Sequence, residues 1–462
     1  MRQRRTTRLM VGLLLIVLAC ASGGVARAST SDEQELGKQF CLEARALLPL
    51  LDDVEITGYV NRIGQKIVAG LGDQPFAYQF FVVRDPRINA FAVPGGYVYM
   101  NAGLLTRASD DDELAGVLGH EIAHVNAHHL VRQQEATQLL NYAALLGTLL
   151  SFVQPAIGAG AAAANAAAQL QYRRDFEQEA DYLGARYMQQ AGYDPRGMLD
   201  FFKKMLDEQR TTPTFAPPYL LSHPLTDTRL TNLEAVLRTH QWDHGPRQPT
   251  SLDLQRVQLL TRAHSETPQD VVAPYWREAS AHPADARARY LLGLAYLETG
   301  AVEPARQAFE AARDLGFPSV DRELGRTFLR LQQLDKAREF LSRAAEVQAD
   351  DPVSHFELAK VLAALQTPND AMREYERAFQ LAPTLEEAHY EFGILAGRAG
   401  RQGEGFYHLG IALELRGEFD KALSQFEKAA PLLPAGSDQA QEVHADITEL
   451  KTYLRHGPVR AH

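Results

Sequence analysis

A chain of 462 residues is too long for one ordinary hydrophobic core, so two or three domains are expected. Its 45% hydrophobic and 23% charged residues are typical of a soluble globular protein and exclude a disordered or multi-pass membrane chain. A formal net charge of −11 without a basic stripe argues against nucleic acid as a partner, because phosphate contacts need a basic surface.

The N-terminal 28 residues have the order of a secretory signal peptide: arginines, an apolar run from Leu9 to Ala21, and a small-residue A-x-A site ending at Ala28. The run is short for a membrane span. An uncleaved anchor is one alternative. A lipoprotein modified at Cys20 ranks second, because the leucine of VLAC is misplaced by one. Cleavage after Ala28 would leave Cys41 as the only cysteine, so no intrachain disulfide is predicted.

Residues 29–240 are predicted to form a mostly helical domain with a small antiparallel sheet. YQFFVV (78–83) and GGYVYMNAG (95–103) are β-rich and bounded by glycine and proline, as strands are. The segment between them, RDPRINAFAVPGG, is rich in turn residues and is expected to lead straight into the second strand.

The stretch VLGHEIAHVNAHH (117–129) contains the first chemical motif. His120 and His124 are four residues apart, which places both imidazoles on one face of a helix. Two such ligands can bind one zinc ion at about 2.0–2.1 Å each. Glu121, offset by roughly 100°, falls beside the metal and can accept a proton as a general base. The alternative is a helix with surface histidines.

An uncharged segment follows at 136–172. Its length would allow a transmembrane helix. The interruption by Pro155 and by small residues favours a helical hairpin packed over the domain instead. Such a segment could make peripheral contact with a membrane or with unfolded clients.

The third metal ligand decides the class of zinc site. The metzincin pattern needs a glycine and a histidine where this chain has Ala127 and Leu130, so that class is excluded. In the predicted helix 173–192, Glu177 and Asp181 border an apolar stripe, where acids are costly unless something compensates them. We therefore predict Glu177 as the third ligand and Asp181 as its support; a solvated acidic helix is the alternative.

Beyond a linker-like break at 240–255, the chain repeats itself. Small residues recur in three aligned columns: Gly293, Gly325, Ala359 and Gly410; Ala305, Ala337, Ala371 and Ala422; Ala312, Ala344, Ala378 and Ala429. The first two intervals in a column, 32 and 34 residues, resemble the tetratricopeptide repeat, a pair of antiparallel helices. The last interval of 51 predicts an extra helical segment near 386–400 that breaks the stack. Such stacks form concave surfaces for peptides or protein partners.

NAFAVPGG, HEIAHVNAHH, FEQEADYLG and SHPLTDTRL, in this order, resemble the HtpX-like gluzincin metalloprotease family, which also includes the CAAX prenyl endopeptidases. The signal peptide in front and the repeats behind resemble its periplasmic, BepA-type branch of protease-chaperones. The resemblance implies one Zn²⁺ per chain, bound by His120, His124 and Glu177. It also implies that the strand after NAFAVPGG is an edge strand that pairs with an extended substrate.

The resemblance assigns two further residues, in SHPLTDTRL (222–230). It implies that His223 is a plug in the open zinc position and that Arg229 lies near the reacting carbonyl. The residues alone predict only a turn before a helix that begins near Asp227, with an ordinary loop histidine.

The fold class predicted is mainly α: a helical zincin-type domain with a small sheet, followed by an α-solenoid. The predicted ranges are signal peptide 1–28, metalloprotease 29–240, connecting helices 241–285, repeats 286–440 and tail 441–462. The family implies a periplasmic zinc endopeptidase with a quality-control or chaperone role on outer-membrane proteins or their assembly machinery. The alternative is a non-catalytic scaffold with structural zinc, which would not need Glu121.

Overall fold

The computed structural model describes residues 30–137, 174–211, 217–240, 242 and 250–456. The predicted signal peptide, with Cys20, lies outside these ranges, as does nearly all of the uncharged segment 136–172. Within the described ranges, none of the helices combines the length and apolar character needed to cross a membrane.

The N-terminal half is helical apart from one small sheet, as predicted. Its elements are α1 (Thr30–Leu47), α2 (Val54–Ala69), β1 (Gln79–Val83), β2 (Ala90–Val93), β3 (Tyr97–Asn101), α3 (Ala102–Arg107), α4 (Asp111–Asn126), α5 (His129–Thr137), α6 (Arg174–Gln190), α7 (Arg196–Thr211), α8 (Pro218–Ser222) and α9 (Asp227–His240).

The sheet differs from the prediction in two ways. It is mixed, because β1 runs parallel to β3 and β2 runs antiparallel to it. The turn-rich segment before the second predicted strand also contains a strand of its own, β2. Gly95 and Gly96 adopt φ angles of 87° and 94°, a region that favours glycine. They reverse the chain tightly enough for AFAV (90–93) to pair with β3.

The predicted edge strand is also corrected. The strand that follows NAFAVPGG is β3, and the strand order β1-β3-β2 places it in the centre of the sheet. Both of its sides are therefore occupied by neighbouring strands. The edge next to the histidine helix is β2, which contacts α4. An extended peptide added to this edge would pair with β2.

Helix α4 carries the histidine motif and is buried along its length. Asp110 caps its first turn by accepting a hydrogen bond from the backbone N–H of Glu113. Helix α6 crosses it closely, because a Cβ placed on Gly184 would lie 2.9 Å from the backbone carbonyl carbon of Gly119 and 2.9 Å from the backbone nitrogen of His120. Gly184 therefore lets α6 approach the histidines closely.

The C-terminal half is a stack of helix pairs. Its elements are α10 (Leu252–Ala263), α11 (Pro268–Ala281), α12 (Ala286–Glu298), α13 (Val302–Asp314), α14 (Asp321–Arg330), α15 (Leu334–Val347), α16 (Pro352–Ala364), α17 (Pro368–Leu381), α18 (Glu386–Arg398), α19 (Gln402–Leu415), α20 (Phe419–Ala429) and α21 (Asp438–His456). The small residues lie where paired helices cross: a Cβ on Gly293 would lie 2.7 Å from the Phe309 ring.

The predicted break near 386–400 is wrong. Helix α18 is the first helix of another regular pair with α19, and its Gly393 follows Ala359 by the ordinary 34 residues. A Cβ on Gly393 would lie 2.8 Å from Leu409, sixteen residues on, as Phe309 is from Gly293. Gly410 lies on the second helix of that pair and contacts α20, which explains the longer interval.

The two halves are joined by buried ion pairs. Glu55 of α2 lies 2.8 Å from Arg256 of α10 and 2.9 Å from Arg322 of α14. At the far end of the stack, Arg45 of α1 donates a hydrogen bond of 2.7 Å to the carbonyl oxygen of Leu415. The repeats thus form an arc that starts and ends on the N-terminal half, with a cavity of about 790 Å³ against α2. The exact domain boundaries remain predictions.

The closing contact on α1 predicts a pH dependence of stability. Burial, with Asp446 and Glu449 nearby, raises the pKa of Glu414 from 4.5 to about 7, although Arg45 and Lys38 act in the opposite direction. The folded state therefore binds this proton more tightly. The stabilisation of the folded state by this proton is complete below pH 4.5 and is lost as the pH rises through about 7.

We expect Glu414→Gln, which mimics the protonated acid, to raise the thermal unfolding midpoint at pH 8 by roughly 2 °C. At pH 5 the same variant should match the parent chain. Calorimetry at both pH values tests this, and Glu427→Gln in the exposed part of α20 is the control. An equal shift at both pH values would contradict the raised pKa.

Candidate metal centre

Four buried side chains from three parts of the chain converge. Helix α4 supplies His120 and His124, α6 supplies Glu177, and His223 follows directly after α8. One nitrogen or oxygen of each lies within 4.8 Å of the others. Each residue is at most 2% exposed, so the cluster is closed to solvent. The structure thus brings together three predicted ligands and the predicted plug.

The spacing of these atoms fits a single metal ion. A tetrahedron with bonds of about 2.1 Å has edges of about 3.4 Å. The Nε2 atoms of His120 and His124 are 3.0 Å apart, and His124 Nε2 is 3.3 Å from Glu177 Oε1. His223 Nδ1 is 3.3 Å from His120 Nε2 and 3.0 Å from Glu177 Oε1. Imidazole nitrogens and a carboxylate are also the donors that zinc prefers.

Asp181, the predicted support residue, and Arg229 form one buried chain behind His120. Its Nδ1 lies 3.1 Å from Asp181 Oδ1. Arg229 donates to both Asp181 oxygens, from Nε at 2.8 Å and from Nη2 at 2.7 Å. The Nη1 atom of Arg229 lies 2.5 Å from Glu177 Oε2, so the guanidinium also borders the ligand set. Asp181 and Arg229 are therefore held rigidly, with little freedom to rotate.

The electrostatics favour an ionised Glu177 and a neutral His124, whereas Glu177 and Glu121 raise the pKa of His223 despite its burial. Burial alone would raise the pKa of Glu177, but His223 and Arg229 together hold it well below its usual range. Burial lowers the pKa of His124 well below its usual value, against the opposing effect of Glu177. A neutral imidazole and an ionised carboxylate are the forms in which these side chains bind a metal.

Glu121 lies beside the cluster without joining it. It is 1% exposed, and among the described residues neither carboxylate oxygen has a hydrogen-bond partner. Its Oε1 lies 3.7 Å from His223 Nε2. A buried carboxylate that accepts no hydrogen bond is costly, which indicates a functional reason for keeping it.

The last two histidines of the motif lie outside the ligand cluster. The helix ends at Asn126, and His128 has a φ of 53°, so the predicted continuous helix is broken there. The His128 side chain contacts Glu33 at 2.8 Å. His129 starts α5 and turns back toward His124, with 3.0 Å between their Nδ1 atoms. Helical periodicity gave no signal for this contact, because the break resets it.

Sequence reasoning also missed Tyr219. This residue of α8 is fully buried and stacks on His223, with ring centres 4.6 Å apart. Its hydroxyl has no hydrogen-bond partner, and burial beside Glu121 raises its pKa well above the usual value. Only its place four residues before His223, within one helical turn, could have suggested the contact.

Two histidines one turn apart on one helix, with a glutamate from a second helix, define a metallopeptidase-type centre. Residues 55–237 match the model of Peptidase family M48, and residues 286–314 match that of the tetratricopeptide repeat. The N-terminal half is thus similar to M48 peptidases, and the helix pairs behind it are similar to tetratricopeptide repeats.

Curated relatives support this assignment. The beta-barrel assembly-enhancing protease of Yersinia pestis is 36% identical over 215 residues, 45% of this chain and 44% of that protein. The mitochondrial metalloendopeptidase OMA1 of Schizosaccharomyces pombe is 31% identical over 39% of this chain and 53% of that protein. The chain therefore spans about half or less of these relatives. A crystal structure of MamA aligns with 33% of this chain and 91% of its own at 19% identity, with a TM-score of 0.30.

Proposed function

We propose that this protein is a zinc-dependent endopeptidase of the cell envelope. The observation that carries the proposal is the closed donor set of His120, His124 and Glu177 together with the adjacent Glu121, which accepts no hydrogen bond from the described residues. A purely structural zinc site needs the donors but has no use for a further carboxylate beside them. The protease therefore accounts for a residue that the scaffold alternative leaves unexplained.

Each side chain then has a separate role. Zinc held by these residues would supply Lewis-acid chemistry, polarising the scissile carbonyl and making a bound water more acidic. Glu121 accepts the proton of that water and returns it to the leaving amine. His120, His124 and Glu177 hold the ion, and Asp181 orients His120. His223 occupies the remaining position in the resting state.

Arg229 supplies positive charge near the oxygen that becomes anionic. Its Nε and Nη2 are held by Asp181, while Nη1 lies 2.5 Å from Glu177 Oε2 and donates to the carbonyl oxygen of Pro224, which supports a place for its charge beside the metal ligands. Because the guanidinium is fixed by two carboxylates, it needs little reorganisation when charge develops on the substrate. The same contacts make it a positioning residue for Asp181.

We place the protein in the periplasm, on the signal-peptide pattern of residues 1–28. The repeats and the cavity of about 790 Å³ between them and α2 supply a surface for protein clients. Relatives named for β-barrel assembly support clients among outer-membrane β-barrel proteins or their assembly machinery. A pull-down with a Glu121→Gln variant would identify them.

Measurement of the zinc content tests the metal site on which the proposal depends. The purified chain should contain close to one zinc, and Glu177→Gln should reduce zinc retained through a chelating wash at least tenfold. Asp175→Asn on the same helix is the matched control, because that carboxylate is exposed. Chelation should stop cleavage of an unfolded protein, and added zinc should restore it.

A chain that binds no zinc would overturn the proposal. So would cleavage that persists unchanged in the chelated protein. If Glu177→Gln retained as much zinc as Asp175→Asn, Glu177 would be excluded as a ligand, but the rest of the proposal would stand.

A further inference from the structure

The two ligand histidines on α4 are held by different partners. His120 contacts a carboxylate, with Nδ1 3.1 Å from Asp181 Oδ1. His124 contacts a second imidazole, with 3.0 Å between its Nδ1 and that of His129. The Nε2 of His129 lies 3.2 Å from Glu179 Oε2. We propose that His129 and Glu179 form a positioning pair that fixes the ring of His124 for metal binding.

The direction of these hydrogen bonds follows from the chemistry of a neutral imidazole, which has one N–H and one lone pair. If His124 offers its Nε2 lone pair to the metal, its proton is on Nδ1. That proton must be donated to Nδ1 of His129, whose own proton is then on Nε2. The proton on His129 Nε2 is then donated to the Glu179 carboxylate. Each ring is thus restricted to one tautomer by the group behind it.

The break in the helix explains how His129 reaches this place. A continuous helix would turn residue 129 about 140° away from His124, since five residues advance 500°. The φ of 53° at His128 redirects the chain, so that α5 begins with His129 facing back. The ring is fully buried and stacks on Phe176 of α6, with centres 4.6 Å apart and planes 9° apart.

The outer end of the pair is also held. Glu179 is 41% exposed, and its Oε2 contacts Arg132 at 3.1 Å as well as His129. A charged pair at the surface therefore anchors a neutral ring in the interior. The exposed part of the Glu179 side chain faces solvent. Its inner oxygen gives it a second role.

Loss of such a partner typically weakens metal binding 10–100-fold. We therefore expect His129→Phe to raise the dissociation constant for Zn²⁺ by that factor in the full chain. Phenylalanine keeps the ring and its stacking on Phe176 but cannot accept the His124 proton. His129→Asn should recover much of the affinity, because its Oδ1 can replace the Nδ1 acceptor. Glu179→Gln, which keeps an acceptor, should have a smaller effect.

A matched control exists in the repeats. His389 and His408 are also buried with their Nδ1 atoms 2.8 Å apart, and His389 stacks on Phe379. His389→Phe removes the same kind of contact far from the metal centre. It should leave zinc affinity within twofold of the parent. Competition with a chromophoric chelator gives the affinities, and the visible absorption of the Co²⁺-loaded protein reports on ligand geometry.

The inference rests on the proposed zinc site, and the outcomes separate the two. A parent chain that binds neither Zn²⁺ nor Co²⁺ would remove the proposed function itself. A parent that binds zinc, with a His129→Phe variant of equal affinity and unchanged Co²⁺ spectrum, would overturn the positioning pair alone. Weakened binding in His129→Phe without recovery in His129→Asn would assign His129 a packing role and also contradict the proposal.

Discussion

Glu121→Gln is expected to abolish peptide-bond cleavage while the protein keeps its zinc. The carboxylate is buried, has no hydrogen-bond partner and lies next to the donor set without belonging to it. Removing a positioned general base typically slows a reaction by about 10²–10⁴-fold. Glutamine has the same shape but cannot take the proton. We therefore expect at least a hundredfold loss of kcat.

The assay is cleavage of an unfolded protein, with zinc content measured on the same samples. Glu113→Gln is the matched control, because Glu113 is a buried carboxylate on the same helix that pairs with Lys204 instead of lining the cluster. That variant should lose stability but keep its specific activity. Full activity in Glu121→Gln would exclude Glu121 as the base.

The same variant decides between protease and scaffold. If the protein works only as a chaperone on its repeats, Glu121→Gln should complement a deletion strain as well as the parent does. Failure to complement, with zinc and folding intact, would show that the function of the protein in the cell requires the catalytic activity. Both activities in one chain would give partial complementation.

The amino-acid pattern predicted the helices well because their apolar residues recur at helical spacing. Leu114, Val117 and Ile122 follow a 3.6-residue period, and the i, i+4 spacing of His120 and His124 fixes their relative direction without tertiary information. The repeats were visible because each pair needs a small residue at the same crossing. Both features are local.

The predictions from the sequence were wrong where non-local contacts or backbone conformation determine the structure. AFAV is only four residues long and follows a turn-rich segment, so its pairing with β3 depends on the positive φ of Gly95 and Gly96. His129 needed a similar left-handed residue at His128. Gly410 was aligned with first helices because it makes the same kind of close crossing from a second helix. None of these follows from residue spacing.

His223 closes the metal centre, and its place in the structure argues for latency. Its Nδ1 lies within 3.3 Å of both His120 Nε2 and Glu177 Oε1. A site with four protein donors has no open position for water, whereas a catalytic site needs one. Tyr219 stacks on the His223 ring, and Arg229 donates a hydrogen bond of 2.9 Å to the carbonyl oxygen of Pro224. We therefore propose that the segment 217–226 is a lid over the metal centre.

Opening of this lid needs free energy from outside the site. A ligand shifts such an equilibrium only by its differential affinity for the two states. A client held by the repeats can supply that difference if it binds more tightly when 217–226 has moved. The flanking Pro217 and Pro218 and the internal Pro224 limit the conformations of the lid, so it should move as a unit.

We expect His223→Ala to raise basal proteolysis roughly tenfold or more, because removing one of four donors leaves a three-ligand catalytic site. The variant should keep its zinc through His120, His124 and Glu177, and should cleave wrong substrates or itself. His264→Ala, a partly exposed histidine that contacts Asp53, is the control and should remain at the basal rate. The double variant with Glu121→Gln should be inactive, which excludes a contaminating protease. If His223→Ala retains zinc and the double variant is inactive, yet basal cleavage stays at the parental level, His223 is not a plug.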